Sequence, residues 1–176
     1  MEQSTKKLGT SHGIYLGIAL ILITVLIYAF DVSIMTEWYM FFVNLVLVVT
    51  LATMAVKKSK AASTSLFSFK EAFTPYFLTV FIGMLLATVF TLLLFNVIDP
   101  EAAETVKELT LEKQAEMLEG FGMTEEQINA GMAEAAKQDT FSLKNIAISF
   151  GGQLIFFSII GLIVALIFRE KDKTNA

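Results

Sequence analysis

Four long stretches without a charged residue or a histidine, 13–30, 38–56, 73–98 and 146–168, constrain this chain more than any other feature. Each meets the requirement of roughly 18 or more apolar residues to cross about 30 Å of hydrocarbon at about 1.5 Å per residue. A strand in lipid would have to close into a barrel to satisfy its backbone, and these runs lack the short alternating segments of barrel strands. They read as helices. At 176 residues and 55% hydrophobic, the chain is also more apolar than soluble domains, which run about 45–50%. The first run follows Lys6 and Lys7 as a signal peptide would. It is too long for one, however, and "IYAFDVS" offers no small-residue cleavage site, so it reads as a retained span.

Charge orients the spans. If the N-terminus is cytoplasmic, nine basic residues lie inside: Lys6, Lys7, Lys57, Lys58, Lys60, Lys70, Arg169, Lys171 and Lys173. Four lie outside, Lys107, Lys113, Lys137 and Lys144. This asymmetry satisfies the positive-inside rule. Tyr15 and Tyr76 then fall at inner helix ends and Tyr28, Trp38 and Tyr39 at outer ends, as an aromatic belt would place them. The inner connection "KKSKAASTSLFSFKEAF" reads as a topology anchor, or as a lipid or partner site, with Leu66, Phe67 and Phe69 resting in the interface beside Lys70. Pro75 is expected in the first turn of the third helix, where its missing N–H matters little.

The outer connection after the third span has its own pattern. "DPE" at 99–101 reads as a helix start, with Asp99 as N-cap, Pro100 at the first position and Glu101 in the first turn. The helix should run to "EGFG", where Gly120 or Gly122 supplies a left-handed cap. Thr124 and Gln127 form a capping-box pattern for a second helix. The expectation is an αα-hairpin over about 99–139. Its first helix sets Ala102, Val106, Leu109 and Met117 on one face and Glu101, Glu108, Glu112 and Glu119 on the opposite one. Carboxylates spaced i, i+4 repel, at about 0.2–0.5 kcal/mol per pair, so packing of the apolar face must offset them. The acidic face is either a solvated surface or a docking face for a basic partner or cations. No EF-hand loop pattern accompanies it.

The chain has no cysteine and one histidine, His12, so thiolate chemistry is excluded and a zinc site is not expected. Ion-coupled carriers and intramembrane hydrolases place ionisable groups inside the bilayer, and these runs have none. No catalytic residue, cofactor or metal ligand is expected. Small residues recur instead at four-residue steps: Gly9/Gly13/Gly17, Gly83/Ala87, Ala147/Gly151 and Gly161/Ala165, spacings that let helices approach closely in lipid. Counting inward from the outer ends, Thr24, Asn44, Thr91 and Gln153, one per span, fall at a similar depth. Asn and Gln cannot face lipid cheaply, so both should point into the bundle and bond each other, a Thr, a backbone carbonyl or water. This polar layer is either interhelical glue or the floor of an outward-open hydrated pocket.

Several segments together resemble the family known as domain of unknown function 4199, small four-helix membrane proteins of Bacteroidetes-type bacteria. They are "FSFKEAFTPYFLTVFIG", "NVIDPE", "EKQAEMLEGFGMTEEQINAGM" and "FGGQLIFFSIIGLIVALIFRE", in that order over nearly the whole chain. The resemblance implies a bacterial inner-membrane, multi-pass protein with a periplasmic hairpin, and no activity. The expectation is a single membrane domain, 1–176: an all-α four-helix bundle with an acidic extramembrane αα-hairpin between the third and fourth spans and both termini cytoplasmic. Two functions fit. One is a non-enzymatic component that presents the hairpin to a protein partner or to a second copy of the chain. The other is a small transporter or ligand-binding protein with an outward-facing polar pocket. The lipid bilayer is a partner in either case; nucleic acid is not.

Overall fold

A computed structural model describes residues 2–138 and 140–170; Lys171, Lys173 and residue 139, where the expected hairpin ends, lie outside it. The described residues form α1 (Glu2–Phe30), α2 (Trp38–Ala61), α3 (Phe69–Leu93), α4 (Pro100–Gly120), α5 (Glu125–Ala136) and α6 (Leu143–Phe168), with no strand. A 3-10 turn, Val32–Thr36, joins α1 to α2, and a π turn, Leu94–Ile98, extends α3. α1, α2, α3 and α6 are long and apolar enough to cross a membrane, and only 17–28% of the most apolar window of each is buried. Large apolar side chains such as Leu22, Val46, Ile155 and Ile167 therefore point out of the bundle. In water this would be an aggregation surface; against lipid tails it is the proper solvent face. The chain is an all-α integral membrane protein.

α3 occupies the centre, packing on α1, α2 and α6, whereas α1 and α6 do not touch. The glycines of α1 explain its close seam with α3. A Cβ on Gly9 would lie 2.9 Å from the Pro75 Cα, and one on Gly13 would lie 2.8 Å from the Ile82 Cβ. Leu16 returns the contact, filling the space beside Gly83. Thr79, fully buried, donates its hydroxyl to the Gly9 carbonyl across the seam at 3.1 Å and to the Pro75 carbonyl at 2.8 Å. On the opposite side of α3, the Tyr76 ring fills the slot left by Gly161 of α6. The small residues thus act as expected at 9, 13, 17, 83 and 161, but a Cβ on Gly151 would meet nothing within 4 Å.

Three expectations at the end bearing the termini need correction. Tyr76 is fully buried in the core because Gly161 offers it a slot, so it is no part of an interfacial belt. Phe67, 1% exposed, packs in the same core rather than in the interface; Leu66 alone stays exposed. Pro75 sits well inside α3, because Ser68 and Glu71 form a capping box that starts the helix earlier. A latch closes this end. The Phe67 N–H donates to a Glu170 carboxylate oxygen at 3.1 Å, and the Glu170 N–H donates to the Phe67 carbonyl at 2.8 Å. Lys60 reaches the other Glu170 oxygen at 3.2 Å and the terminal α6 carbonyl, Phe168, at 3.1 Å. The Phe67 N–H, then Lys60, hold the Glu170 carboxyl below its ordinary range.

At the other end, Pro100 ends the third span. Its ring would clash with the carbonyl four residues back, and it pushes Asp99 out of helical geometry. The last turn widens, with the Asp99 N–H bonded to the Leu94 carbonyl at 2.8 Å. Asn96 donates to the Leu92 carbonyl at 3.2 Å and to the Phe141 carbonyl at 3.1 Å, tying this turn to the segment before α6. Asp99 caps α4 through the Ala102 N–H at 3.0 Å and accepts the Tyr28 hydroxyl at 2.7 Å. These two bonds, Tyr28's first, hold its carboxyl below the ordinary range. α4 docks through Val106, 7% exposed, in a cluster with Leu94 and Phe95. The packed face is shorter than expected: Met117 is 55% exposed, since α4 rests on the Val32–Thr36 and Leu94–Ile98 turns and on α5. Gly122, at φ +79, ends the α4 segment. The Gly122 N–H bonds the Glu119 carbonyl at 2.8 Å and the Met123 N–H bonds that of Leu118 at 3.2 Å, the Schellman pattern. α5 starts with the Thr124–Gln127 capping box and packs on α4 alone.

Candidate functional site: a cavity among the spans

Where the close α1–α3 seam gives way toward the hairpin end, the spans frame a half-open cavity of about 700 Å³. Thr24 of α1, Asn44 of α2, Thr91 of α3 and Gln153 of α6 all line it, joined by Thr88 and Ser149. Val48, Met84 and Phe157 line it on the side of the termini. All three are buried in the core. Met35 and Phe141, from the two connections at the hairpin end, line it on the other side. No lining residue is charged.

The polar groups around this space are mostly unspent. Thr24 donates its hydroxyl to the Leu20 carbonyl of its own helix at 3.0 Å. Among the described residues, the side chains of Asn44, Thr88, Thr91, Ser149 and Gln153 make no hydrogen bond; the first three are half-buried, whereas Ser149 and Gln153 are exposed. Contrary to expectation, Asn44 and Gln153 bond neither each other nor a threonine or backbone carbonyl. Phe41 of α2 meets Phe156 of α6 with centroids 6.1 Å apart, and the α2–α6 contact is otherwise thin. Each amide presents two donors and an acceptor. The arrangement can therefore hydrogen-bond a guest from several directions, within walls that are otherwise apolar.

The other candidate residues are not drawn into a site. Glu101, Glu108, Glu112 and Glu119 are all exposed along α4, and no three His, Asp or Glu side chains converge among the described residues. Lys113, on the same helix, reaches Glu116 at 3.4 Å and Glu37, at the start of α2, at 3.5 Å. Its pKa is raised by Glu116 first and then by Glu37. His12, just before the first apolar run, escaped the sequence reading. α1 extends back past it, and it is 4% exposed. Its Nδ1–H donates to the Leu8 carbonyl at 2.9 Å. Ser68-x-x-Glu71 was the overlooked signal that the third helix begins early.

Comparison with curated proteins and with solved structures yields no match. The family model described as "Protein of unknown function (DUF4199)" matches residues 11–170, a stretch that takes in all four spans, the cavity between them and the α4–α5 hairpin. The chain belongs to that family.

Proposed function

We propose that this protein binds a small uncharged ligand within the bilayer, in the half of its bundle nearest the hairpin, without transforming it. The observation that carries this reading is the set of unpartnered neutral side chains, Asn44, Thr88, Thr91, Ser149 and Gln153, around about 700 Å³. Ligand sites fall at about 300–1,000 Å³, mostly apolar with a few convergent polar groups. An amide left without a partner in an apolar setting costs free energy, which a guest that bonds it recovers. The lining offers no nucleophile with an adjacent base and no titratable pair, so binding or passage fits better than turnover. The family resemblance implies a bacterial inner membrane, and the positive-inside rule then favours cytoplasmic termini with α4–α5 in the periplasm. The cavity then lies in the periplasmic half. The exposed carboxylates of α4 offer nothing that selects a partner, and their bland role is to keep the hairpin in water.

The test is what the protein retains. Small molecules extracted from purified protein are compared by mass spectrometry with those from an Asn44→Leu/Gln153→Leu variant. A compound held in stoichiometric amount by the native chain and lost from the variant supports the reading. Identical extracts, with the variant folded and of unchanged thermal stability, refute it.

A further inference from the structure

Taking the cavity as a ligand site, we infer that its guest is a neutral amphiphile, a hydroxyl- or amide-bearing head on an apolar tail, entering sideways from the bilayer between α2 and α6. The head is set by the lining: Asn44, Thr88, Thr91 and Gln153 offer neutral donors and acceptors, and no lining residue is charged. An ionised head would enter a poorly solvating space without a counter-ion, at high cost. The tail is set by the rest of the wall, which is apolar from Met40 to Phe157.

The route follows from comparing two barriers. Toward the hairpin end the cavity meets Met35 and Phe141. Phe141 is pinned there: its ring lies 4.5 Å from that of Phe95, and its carbonyl accepts the Asn96 amide at 3.1 Å. Between α2 and α6 no hydrogen bond fastens the wall, and the rings of Phe41 and Phe156 are held only by looser ring contacts, with Phe42 and Phe157 at 5.4 Å and with each other at 6.1 Å. Phe41 and Phe156 line the cavity yet are 55% and 42% exposed, so the wall there is one ring thick. Rotation of these two side chains, with loss of those ring contacts, would widen the half-open cavity toward lipid. Beside Gln153, Gly152 adds no side chain to close it, and a Cβ there would meet nothing within 4 Å.

The experiment uses the full chain in phosphatidylcholine nanodiscs. The probe is a monoacylglycerol with a diazirine in its acyl chain, and the comparator is the fatty acid with the same diazirine. The native chain has no cysteine, so a Phe41→Cys/Phe156→Cys variant can be bridged by a short bis-methanethiosulfonate and released by reductant in the same preparation. Photolabelling at the peptides around Asn44 and Gln153 should be competed by unlabelled monoacylglycerol, which separates it from labelling by bulk lipid. Bridging should slow it by about tenfold or more, since access then needs a larger motion, and reductant should restore it. The fatty acid, compared at a pH alkaline enough to keep it ionised in the bilayer, should label these peptides far less. Labelling at an unchanged rate in the bridged protein would overturn the lateral route while leaving the ligand site standing. Equal labelling by the fatty acid would overturn the neutral class. No competable labelling by the monoacylglycerol, in a protein that still retains another compound from the cell, would overturn the amphiphile alone; with no retained compound either, the ligand site falls as well.

Discussion

Replacing Gly83 with alanine should destabilise the bundle, whereas the same change at Gly151 should not. A Cβ at Gly83 would lie 2.6 Å from Leu16 Cγ and Cδ2 and 2.8 Å from Leu16 Cβ. The Leu16 tip could swing away, but its Cβ is fixed to the α1 backbone, so α1 itself must retreat by several tenths of an ångström. That movement loosens the seam at Gly9, Gly13 and Gly17, where α1 lies closest to α3. Overpacking of this kind costs about 1–3 kcal/mol, and the rigidity of both partners places Gly83→Ala in the upper half of that range. Alanine also gains about 1 kcal/mol in helix propensity, but it does so at both sites. The difference between the two variants therefore isolates the clash, at about 2–3 kcal/mol. Reversible unfolding in mixed micelles on titration with denaturing detergent measures it. If the two variants unfold together, or Gly83→Ala proves the more stable, the α1–α3 seam is not packed as described.

Val106→Asp should release α4 and α5 from the bundle, because it buries a carboxylate without a partner at a cost of several kcal/mol; limited proteolysis between 100 and 136 reads it out. Glu108→Gln with Glu112→Gln should leave the hairpin equally or more resistant, since like charges one turn apart repel, and greater sensitivity would mean that the carboxylates hold something. The latch at Glu170 should depend on pH. A carboxyl whose folded pKa is depressed contributes stability above its unfolded value and loses it as the pH falls through the folded one. Protection of the Phe67 amide should thus hold at neutral pH and fade on acidification below about 4.5, and Glu170→Gln should abolish the dependence. For the orientation, a cysteine replacing Glu126 should react with an impermeant thiol reagent on intact spheroplasts and one replacing Ser65 should not; the opposite pattern would reverse the topology.

The spans were legible because charge is so costly in lipid that its absence marks them without any knowledge of packing. Their ends were less so. α1 runs back through Lys6 and Lys7 to Glu2, because a helix can leave the membrane without stopping, and no hydropathy change records where it does. That Thr24, Asn44, Thr91 and Gln153 would face one space could be anticipated from their places along the four spans. Which helices neighbour one another could not be: that Phe41 meets Phe156 depends on packing between spans distant in sequence. Tyr76 misled for a related reason. The interfacial habit of tyrosine is a tendency of surfaces, and one glycine on α6 outweighs it. The Lys60–Glu170 pair, separated by most of the chain, leaves no local mark.

The central position of α3 bears on how the protein is made. When α1 and α2 have entered the membrane, α1 still lacks its main partner, since its glycine seam is shaped for α3. At translation rates of about 5–20 residues per second, the forty or so residues up to the end of the third span take roughly 2–8 s. For that interval the first two helices are a loosely held pair with Gly9, Gly13 and Gly17 facing lipid or another nascent helix. Arrival of α3 supplies the template, and α6, which leans on α3 and barely on α2, is added last. Mispairing during biogenesis should therefore concentrate at the α1 seam, and an insertion chaperone or a slowed ribosome would act there before the cavity exists.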